Sequence, residues 1–420
     1  MITNLNLLYL ANLINNFGAQ LLTMTLAFTS YQTSGDGYMA GIILMIHYLP
    51  GGIISIFGGA SANKFGLKNI LLICHFIGAM TALAMFNLYE HNISLVFALL
   101  LLLKSFANQY FNVLRGLSIK FAFDKEETKS AGSKIQIGFT IGSALAGILC
   151  IFFHKYIDIQ TIFILNIIFH FLALSCIQLV IFKNPSVHKH KHSFRENFKY
   201  FLEDIFYSKI LFKDFLMSIL TVGLIQAPLF YFRSIISEGI WDQGKYGLGI
   251  IHISTSIGII IGLNLYKKFF SSHEHRFKNE LSLVIILTVL FCSIPATNFM
   301  LGLLAILAIS LLFEFIYIHT YLEIVAHAPE RSSSTILCLR AGLAQAAAGV
   351  GSFMLGIVGK YYIIQEAILI SSFFLILGMG LCYFYANHFR IYLLRLRYFD
   401  RRSKMMNVNS CRRNQLQSIN

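Results

Sequence analysis

Two ionisable residues, Lys104 and Glu314, lie inside long apolar stretches of the sequence. A charged side chain at the centre of a membrane helix costs about 2.5–3.5 kcal/mol on insertion scales, and such residues usually face a cavity. A buried amine can bind an anionic group, and a buried carboxylate can take up a proton. We therefore consider both residues candidates for substrate binding or proton coupling, alone or as a pair. The alternative is a structural ion pair or a lysine whose amine reaches the interface.

Further polar residues interrupt other apolar stretches and form a second group of candidates for substrate binding or coupling: Asn15, Asn16, Gln20, Gln226, His319 and Glu323. His319 and Glu323 are four residues apart, so they share one face of a helix, where a proton relay or an inner gate would fit. The alternative for each residue is an ordinary interhelical hydrogen bond. Single histidines in apolar stretches are predicted to pack without a specific role: His47, His75, His170 and His252.

The composition places the chain in a lipid bilayer. Hydrophobic residues make up 56% of the 420 residues and charged residues only 12%, which is too apolar for a soluble protein of this length. A net charge of +14 could suit a nucleic-acid partner, but the basic residues separate apolar segments and form no basic face. We expect the lipid bilayer as a partner and no nucleic acid.

Twelve apolar stretches are long enough to cross roughly 30 Å of hydrocarbon as helices. They cover residues 5–31, 38–61, 69–88, 93–119, 132–154, 158–182, 209–236, 246–267, 279–297, 299–325, 333–359 and 364–389. If the N-terminus is inside, 27 of the 33 Lys and Arg residues fall on the cytoplasmic side. Only Lys155, Arg233, Lys245 and Lys360 fall on the outer side, and Lys104 and Arg340 lie within helices. The positive-inside rule therefore predicts that both termini are cytoplasmic.

A polar linker and an internal repeat divide the chain into two halves. We predict a six-helix bundle at 1–183, a cytoplasmic linker at 184–208, a second six-helix bundle at 209–390 and a basic cytoplasmic tail at 391–420. Gln136, Gly142, Ser143 and Gly147 recur in register 209 residues later, as Gln345, Gly351, Ser352 and Gly356. Small residues in equivalent helices favour duplication of one bundle. The same offset places Ser105, next to Lys104, opposite Glu314.

A short basic loop between the second and third stretches carries the most specific spacing: Gly59, Asn63, Lys64, Gly66 and Lys68. A glycine at a helix end allows a neighbouring helix to approach closely, and Gly66 permits a tight turn. The spacing resembles the glycine, acid, base, glycine, base signature of the major facilitator superfamily, with Asn63 in place of the acid. This resemblance implies an all-α polytopic membrane protein with twelve transmembrane helices in two pseudo-symmetric six-helix bundles.

Shorter motifs resemble one branch of that superfamily, the bacterial drug and siderophore exporters of the enterobactin and macrolide efflux type. Phe17-Gly18, Ser34-Gly35 and Leu49-Pro50 match its first two helices, and the stretch 112–116 resembles its inner end of helix 4. Arg115 is expected at an inner gate. The glycines at 138, 142 and 147 resemble the helix 5 motif of the antiporter branch, although Ser143 replaces its proline. In this family helices 1, 4, 7 and 10 line the cavity. Lys104 belongs to the fourth predicted helix and Glu314 to the tenth, so the resemblance implies that they face the cavity from opposite halves.

The resemblance implies a secondary active transporter that moves a small amphipathic or anionic molecule, such as a siderophore or drug, across a bacterial inner membrane. We expect proton-coupled export by a monomer, with neither cofactor nor metal site. Uptake of a nutrient or amino acid, or flipping of a lysophospholipid, is the alternative within transport, and a nontransporting receptor or scaffold is a third. The sequence has no phosphate-binding loop, nucleophile elbow or HExxH motif, so an enzyme is not expected.

The substitution at Asn63 generates a prediction. In the family the acid pairs with charges across the two halves when the inner side is closed, and Asn63 carries no charge. Asn63→Asp should therefore favour the inward-closed form by about 0.5–1 kcal/mol, or about two- to fivefold in population. Distances between spin labels at the inner ends of the two halves measure this shift. An unchanged distance distribution would show that the missing acid does not weaken the latch.

Overall fold

The computed structural model of the protein describes residues 3–89, 94–153, 158–182, 194–270, 298–329, 331–363 and 365–374, with short pieces at 286, 289–290, 293–294, 377–378 and 380. Within these ranges the chain is almost entirely helical and contains no β-strand. The expectation of an all-helical protein is therefore confirmed.

Thirteen α-helices with complete bounds follow one another along the described chain. They are α1 (Asn4–Ser34), α2 (Tyr38–Tyr48), α3 (Pro50–Phe65), α4 (Leu67–Leu88), α5 (Ser94–Ala122), α6 (Lys125–Phe153), α7 (Ile159–Leu179), α8 (Phe194–Tyr207), α9 (Lys209–Thr221), α10 (Ala227–Ile235), α11 (Gly244–Phe270), α12 (Phe299–His327) and α13 (Ser333–Tyr361). We call α1 to α7 the N-terminal half and α9 to α13 the C-terminal half.

Nine helical segments in the described ranges are long and apolar enough to cross a membrane. Consecutive elements combine in two of them, α2 with α3 and α9 with α10. Helix α1 has 31 residues, which is also long enough, but its asparagines and glutamines make it less apolar than the nine. Most of the predicted span 279–297 and half of the predicted span 364–389 lie outside the described residues.

Two of the predicted spans are interrupted helices. In the second span α2 ends before Leu49 and Pro50 begins α3. The first position of a helix suits a proline because the backbone N–H there has no partner within the helix. The seventh span contains two π-helical turns, Val222–Gln226 and Ile236–Ile240, on either side of α10. Such π-turns lie often at functional sites. Gln226 belongs to the first of them.

The basic loop between α3 and α4 has the tight turn that its glycine predicts. Gly66 has a positive φ of 83°, and its N–H donates to the carbonyl oxygen of Ala62. The Lys68 amine donates to the carbonyl oxygens of Gln178 at 2.6 Å and Val180 at 3.0 Å. Lys68 therefore caps the C-terminal end of α7, where a cation is favourable.

The glycines of α6 bring the backbones of neighbouring helices together. A Cβ atom at Gly138 would lie 2.7 Å from the ring of Tyr9, and one at Gly142 would lie 3.0 Å from the backbone nitrogen of Phe17. Both contacts fasten α6 to α1. At the repeated position in α13, a Cβ atom at Gly351 would lie 2.8 Å from the carbonyl oxygen of Gly223, in the seventh span.

The last glycine of each repeat packs between the two halves. A Cβ atom at Gly147 in α6 would lie 2.7 Å from the carbonyl oxygen of Gly249 in α11. At the equivalent place in α13, a Cβ atom at Gly356 would lie 3.2 Å from the Cα atom of Gly41 in α2. The repeated glycines thus make equivalent contacts in both halves, as expected for helices related by a pseudo-two-fold axis.

The contrast between two glycines of α6 yields a prediction. Gly142→Ala should destabilise the protein by about 1–3 kcal/mol because the methyl group collides with the α1 backbone. Gly132→Ala is the matched control, since its Cβ would meet nothing closer than 3.9 Å. Thermal unfolding in detergent measures both variants, and an equal effect of the two substitutions would contradict the close packing.

Candidate functional site

Lys104 lies in α5 and points into the N-terminal half. Its amine is 2.6 Å from Nε2 of His170 in α7, and its side chain is only 5% exposed. Among the described residues its hydrogen-bond partner is this imidazole, and no ion pair joins it to Glu314. The pairing of Lys104 with Glu314 that the sequence suggested is therefore not formed.

Glu314 lies in α12 at the contact between the two halves. Its carboxyl interacts electrostatically with the guanidinium groups of Arg340 in α13 and Arg115 in α5. Glu314 is 2% exposed, and its Oε1 atom has no hydrogen-bond partner in the described part of the chain. Helix α11 approaches closely here, because a Cβ atom at Gly262 would lie 3.3 Å from the Cβ atom of Glu314. We call Arg115, Glu314 and Arg340 the arginine cluster.

Tyrosines support the arginine cluster from one side. The Arg340 guanidinium lies 4.4 Å from the ring centre of Tyr317 and 4.6 Å from that of Tyr321, and it donates to the Tyr317 hydroxyl at 3.3 Å. Arg115 lies 4.2 Å from the ring centre of Phe139. These contacts orient planar cations over aromatic faces.

The cluster has more hydrogen-bond donors than acceptors. Nε and Nη2 of Arg340 and Nη1 of Arg115 are buried and have no hydrogen-bond partner among the residues described. A buried polar atom without a partner costs about 1–3 kcal/mol, and more if it is charged. Two guanidinium groups beside one carboxyl can therefore bind a further anion, with N–H groups from both halves of the protein.

The polar candidates of α1 hold helices together within the N-terminal half. Asn15 donates to the side-chain oxygen of Asn108 in α5 at 2.9 Å, and Asn16 donates to the carbonyl oxygen of Phe139 at 2.6 Å. Gln20 is also buried, whereas Gln226 is half-buried in the π-turn. Asn15 and Asn16 thus form interhelical hydrogen bonds, which was the alternative to a role in substrate binding or coupling.

His319 and Glu323 contact different partners although they share a helical face. Nδ1 of His319 is 3.3 Å from the hydroxyl of Tyr266 in α11, while a Glu323 carboxylate oxygen is 3.4 Å from His327, the next residue along its face. The relay or gate suggested for the pair stays a prediction.

The basic loop borders the contact between the halves. A Cβ atom at Gly59 would lie 3.8 Å from the Cβ atom of Ser334 in α13. Lys64 is exposed beside the ring of Phe65, and the side chain of Asn63 lies outside the described residues. The halves touch here through small residues.

Two further contacts close the same end, which we call the basic end. The Lys120 amine of α5 is 2.5 Å from the hydroxyl of Ser333 in α13, and the Cys338 thiol is buried against the carbonyl oxygen of Val113. Arg331 forms two bonds to Asp204 of α8, whose carboxylate also accepts from Ser332 at 2.6 Å. Because Ser332 and Ser333 are adjacent, the linker helix α8 is attached beside the closure.

The opposite end is closed as well. Arg233 was counted among the outer-loop residues, but it lies inside α10, is 6% exposed and donates to Nδ1 of His252 in α11 at 3.0 Å. The Ser143 hydroxyl of α6 is 3.4 Å from the same nitrogen. Across the halves, Tyr48 stacks on Phe230 with ring centres 5.2 Å apart.

Several of these interactions were missed from the sequence. The four histidines predicted to pack without a role all make polar contacts, at Thr23, Lys104 and Arg233 among others. Arg115 and Arg340 carried a signal, because each is a cation in an apolar stretch, but neither the sequence nor the repeat indicated that both act electrostatically on Glu314. In the described ranges no three His, Cys, Asp or Glu side chains are arranged to hold a metal ion.

The apolar helices, the two packed halves and the charged residues between them define a membrane transporter. Residues 8–352 match the family model of the Major Facilitator Superfamily, and the chain belongs to this family. The superfamily fold expected from the loop spacing is therefore confirmed, and the family membership indicates a transporter and not an enzyme. No curated protein matches the sequence.

Solved structures show the same fold at low sequence identity. A bacterial homolog of the human lysosomal transporter Spinster, in an inward-facing conformation, is 12% identical with a TM-score of 0.68, covering 91% of this chain and 96% of its own. The E. coli fucose:proton symporter FucP is 16% identical with a TM-score of 0.64, covering 92% and 97%. The human organic anion transporter MFSD10 is 14% identical with a TM-score of 0.63, covering 90% and 98%.

The contact of Gly59 with Ser334 generates a prediction about opening of the basic end. Gly59→Cys with Ser334→Cys, in a background without the seven native cysteines, should form a disulfide, since Cβ atoms 3.8 Å apart match its geometry. The oxidised protein should lose transport, and reduction should restore it. Each single variant is the control. Full transport by the crosslinked protein would show that this end need not open.

Proposed function

We propose that the protein is a secondary active transporter of a small anionic or amphipathic molecule, which binds at the arginine cluster between the two halves. The observation that supports this is the pair of guanidinium groups, one from each half, with three buried nitrogen atoms left without hydrogen-bond partners. Arg side chains bind carboxylates and phosphates with two parallel hydrogen bonds, and their cost of burial falls when such an anion is present.

The charges of the buried residues in the membrane helices, taken together, agree with an anionic cargo. Lys104, Arg233 and Arg340 are buried in the described membrane helices, whereas Glu314 and Asp214 are the buried acids there. Arg115 adds a further, half-buried cation. The tyrosines beside Arg340 offer apolar faces to an amphipathic molecule.

Glu314 provides a way to couple transport to protons. As a carboxylate it neutralises the two arginines, and it competes with an incoming anion for them. Once Glu314 takes up a proton, the arginines lose that counter-ion and bind the anion more strongly. We infer that the proton is the coupling ion, and that alternating access proceeds by rocking of the halves.

Two observations favour opposite directions of transport. The exporter-like motifs of the first two helices favour efflux of a siderophore or drug in exchange for protons, at a bacterial inner membrane with both termini in the cytoplasm. Binding of a proton together with an anion favours a second candidate, proton-coupled uptake. The related folds include a sugar symporter and an organic anion transporter, so the fold leaves the cargo open.

Transport into inverted membrane vesicles, with a panel of siderophores, anionic dyes and their neutral esters, tests the proposal. We expect uptake of the anionic compounds that depends on an imposed proton gradient and on this protein. Gradient-driven accumulation in inverted vesicles identifies an exporter, and accumulation only in right-side-out vesicles identifies an importer. Transport of neutral esters in preference to their anions would contradict binding at the arginine cluster.

The arginine cluster generates a prediction for variants. Arg115→Met and Arg340→Met should each raise the KM for an anionic substrate about tenfold or more, because a charged hydrogen bond to the anion contributes about 1.5–3 kcal/mol. Lys360→Met, which removes an exposed cation from the end of α13, is the control and should leave the KM unchanged. Equal effects of all three substitutions would show that the cluster does not contact the substrate.

A further inference from the structure

Three basic side chains form a continuous chain inside the N-terminal half. The Lys104 amine of α5 is 2.6 Å from Nε2 of His170 in α7, and Nδ1 of His170 is 3.4 Å from Nδ1 of His75 in α4. All three residues are less than 9% exposed. We call them the Lys–His–His chain. It is separate from the arginine cluster, which lies between the halves.

No anion balances this chain in the part of the protein that the structure describes. No acidic side chain is within ion-pair distance of Lys104. The neighbouring titratable groups are His47 of α2, which interacts electrostatically with Lys104 and whose Nδ1 is 3.0 Å from the Thr23 hydroxyl of α1, and the buried thiol of Cys74 in α4. Phe111 of α5 covers the ring of His75.

The distances between its nitrogen atoms limit how many protons the Lys–His–His chain can hold. Two nitrogen atoms 2.6 Å apart share one proton between them, because a second proton there would place two N–H groups face to face. Without an anion, a second positive charge would also be repelled in a medium of low dielectric constant. The chain therefore has two accessible states, one neutral and one with a single extra proton.

The helices are shaped to keep this contact. Gly78 in α4 faces the His170 ring, and a Cβ atom there would lie 2.5–2.8 Å from three atoms of the ring. A side chain at this position would push His170 away from Lys104. The glycine thus leaves room for the imidazole between two helices.

We propose that the Lys–His–His chain binds one exchangeable proton and that this proton is carried in the transport cycle in addition to any proton on Glu314. The proton passes from Nζ of Lys104 to Nε2 of His170, while the proton on Nδ1 of His170 passes to Nδ1 of His75. His75 then gives up its Nε2 proton, which has no partner among the described residues. Each imidazole that receives a proton on one ring nitrogen releases a proton from the other, or carries the net positive charge.

The role in the transport cycle rests on the proposed function, whereas proton binding does not. The first measurement therefore uses the purified protein in nanodiscs without substrate, and counts the protons taken up when the pH is lowered from 9 to 5. Lys104→Met with His170→Gln should take up about one proton fewer than the wild type. Lys360→Met, which removes an exposed lysine at the end of α13, is the control and should leave the count unchanged. An unchanged count in the double variant would overturn the proposal, whether or not the protein transports anions.

The second measurement tests coupling in proteoliposomes. The slope of the logarithm of anion accumulation against the pH difference gives the number of coupled protons, and it should fall by about one in Lys104→Met with His170→Gln. Counterflow exchange, which needs no net proton movement, should persist. Gly78→Ala keeps every titratable group and should also lower the slope, whereas Gly132→Ala should not. If the slope is unchanged both in Lys104→Met with His170→Gln and in Gly78→Ala, the proposed role of the Lys–His–His chain in transport is wrong.

Discussion

Burial of charge between helices is the constraint on which the interior of this protein depends. Two unit charges 4 Å apart interact with about 4 kcal/mol at an effective dielectric constant of 20, so a buried cation strongly favours a nearby anion. Glu314 is the acid that acts electrostatically on Arg115 and Arg340, but among the described residues its carboxyl forms no ion pair within 4.0 Å with either guanidinium group. In the proposed function, the remaining unpartnered donors bind a further anion, which connects proton binding on Glu314 with anion binding on the arginines.

Close backbone contacts make this arrangement possible. Gly262 allows α11 to approach α12 at Glu314, and Gly142 and Gly351 bring α6 and α13 against the first and seventh spans. In lipid no hydrophobic force drives helices together, so small residues and interhelical hydrogen bonds determine which helices meet. At Gly262 the same close packing holds the backbone of α11 directly against Glu314.

Much of the fold could be predicted from the sequence. The apolar stretches correspond to the described membrane helices, Gly66 makes the turn that its position requires, and the glycine repeat makes equivalent packing contacts in both halves. The sites were harder to predict because helix position does not give the direction of a side chain. The internal repeat predicts that Lys104 and Glu314 lie at similar depths in the membrane. The Lys104 amine nevertheless contacts His170, whereas the Glu314 carboxyl interacts electrostatically with two arginines. Arg233 was counted on the outer side because it lies near the end of the predicted span 209–236, whereas in the structure it is buried and donates a hydrogen bond to His252.

The central claim is that an anion replaces the Glu314 carboxylate at the arginine cluster and that Glu314 then takes up a proton. Infrared difference spectra of the protein in lipid, recorded with and without a transported anion, observe this carboxyl directly. The account predicts that anion binding produces the C=O band of a protonated carboxylic acid, and that the band is absent in Glu314→Gln. The same band in that variant, or no band on anion binding to the wild type, would contradict it.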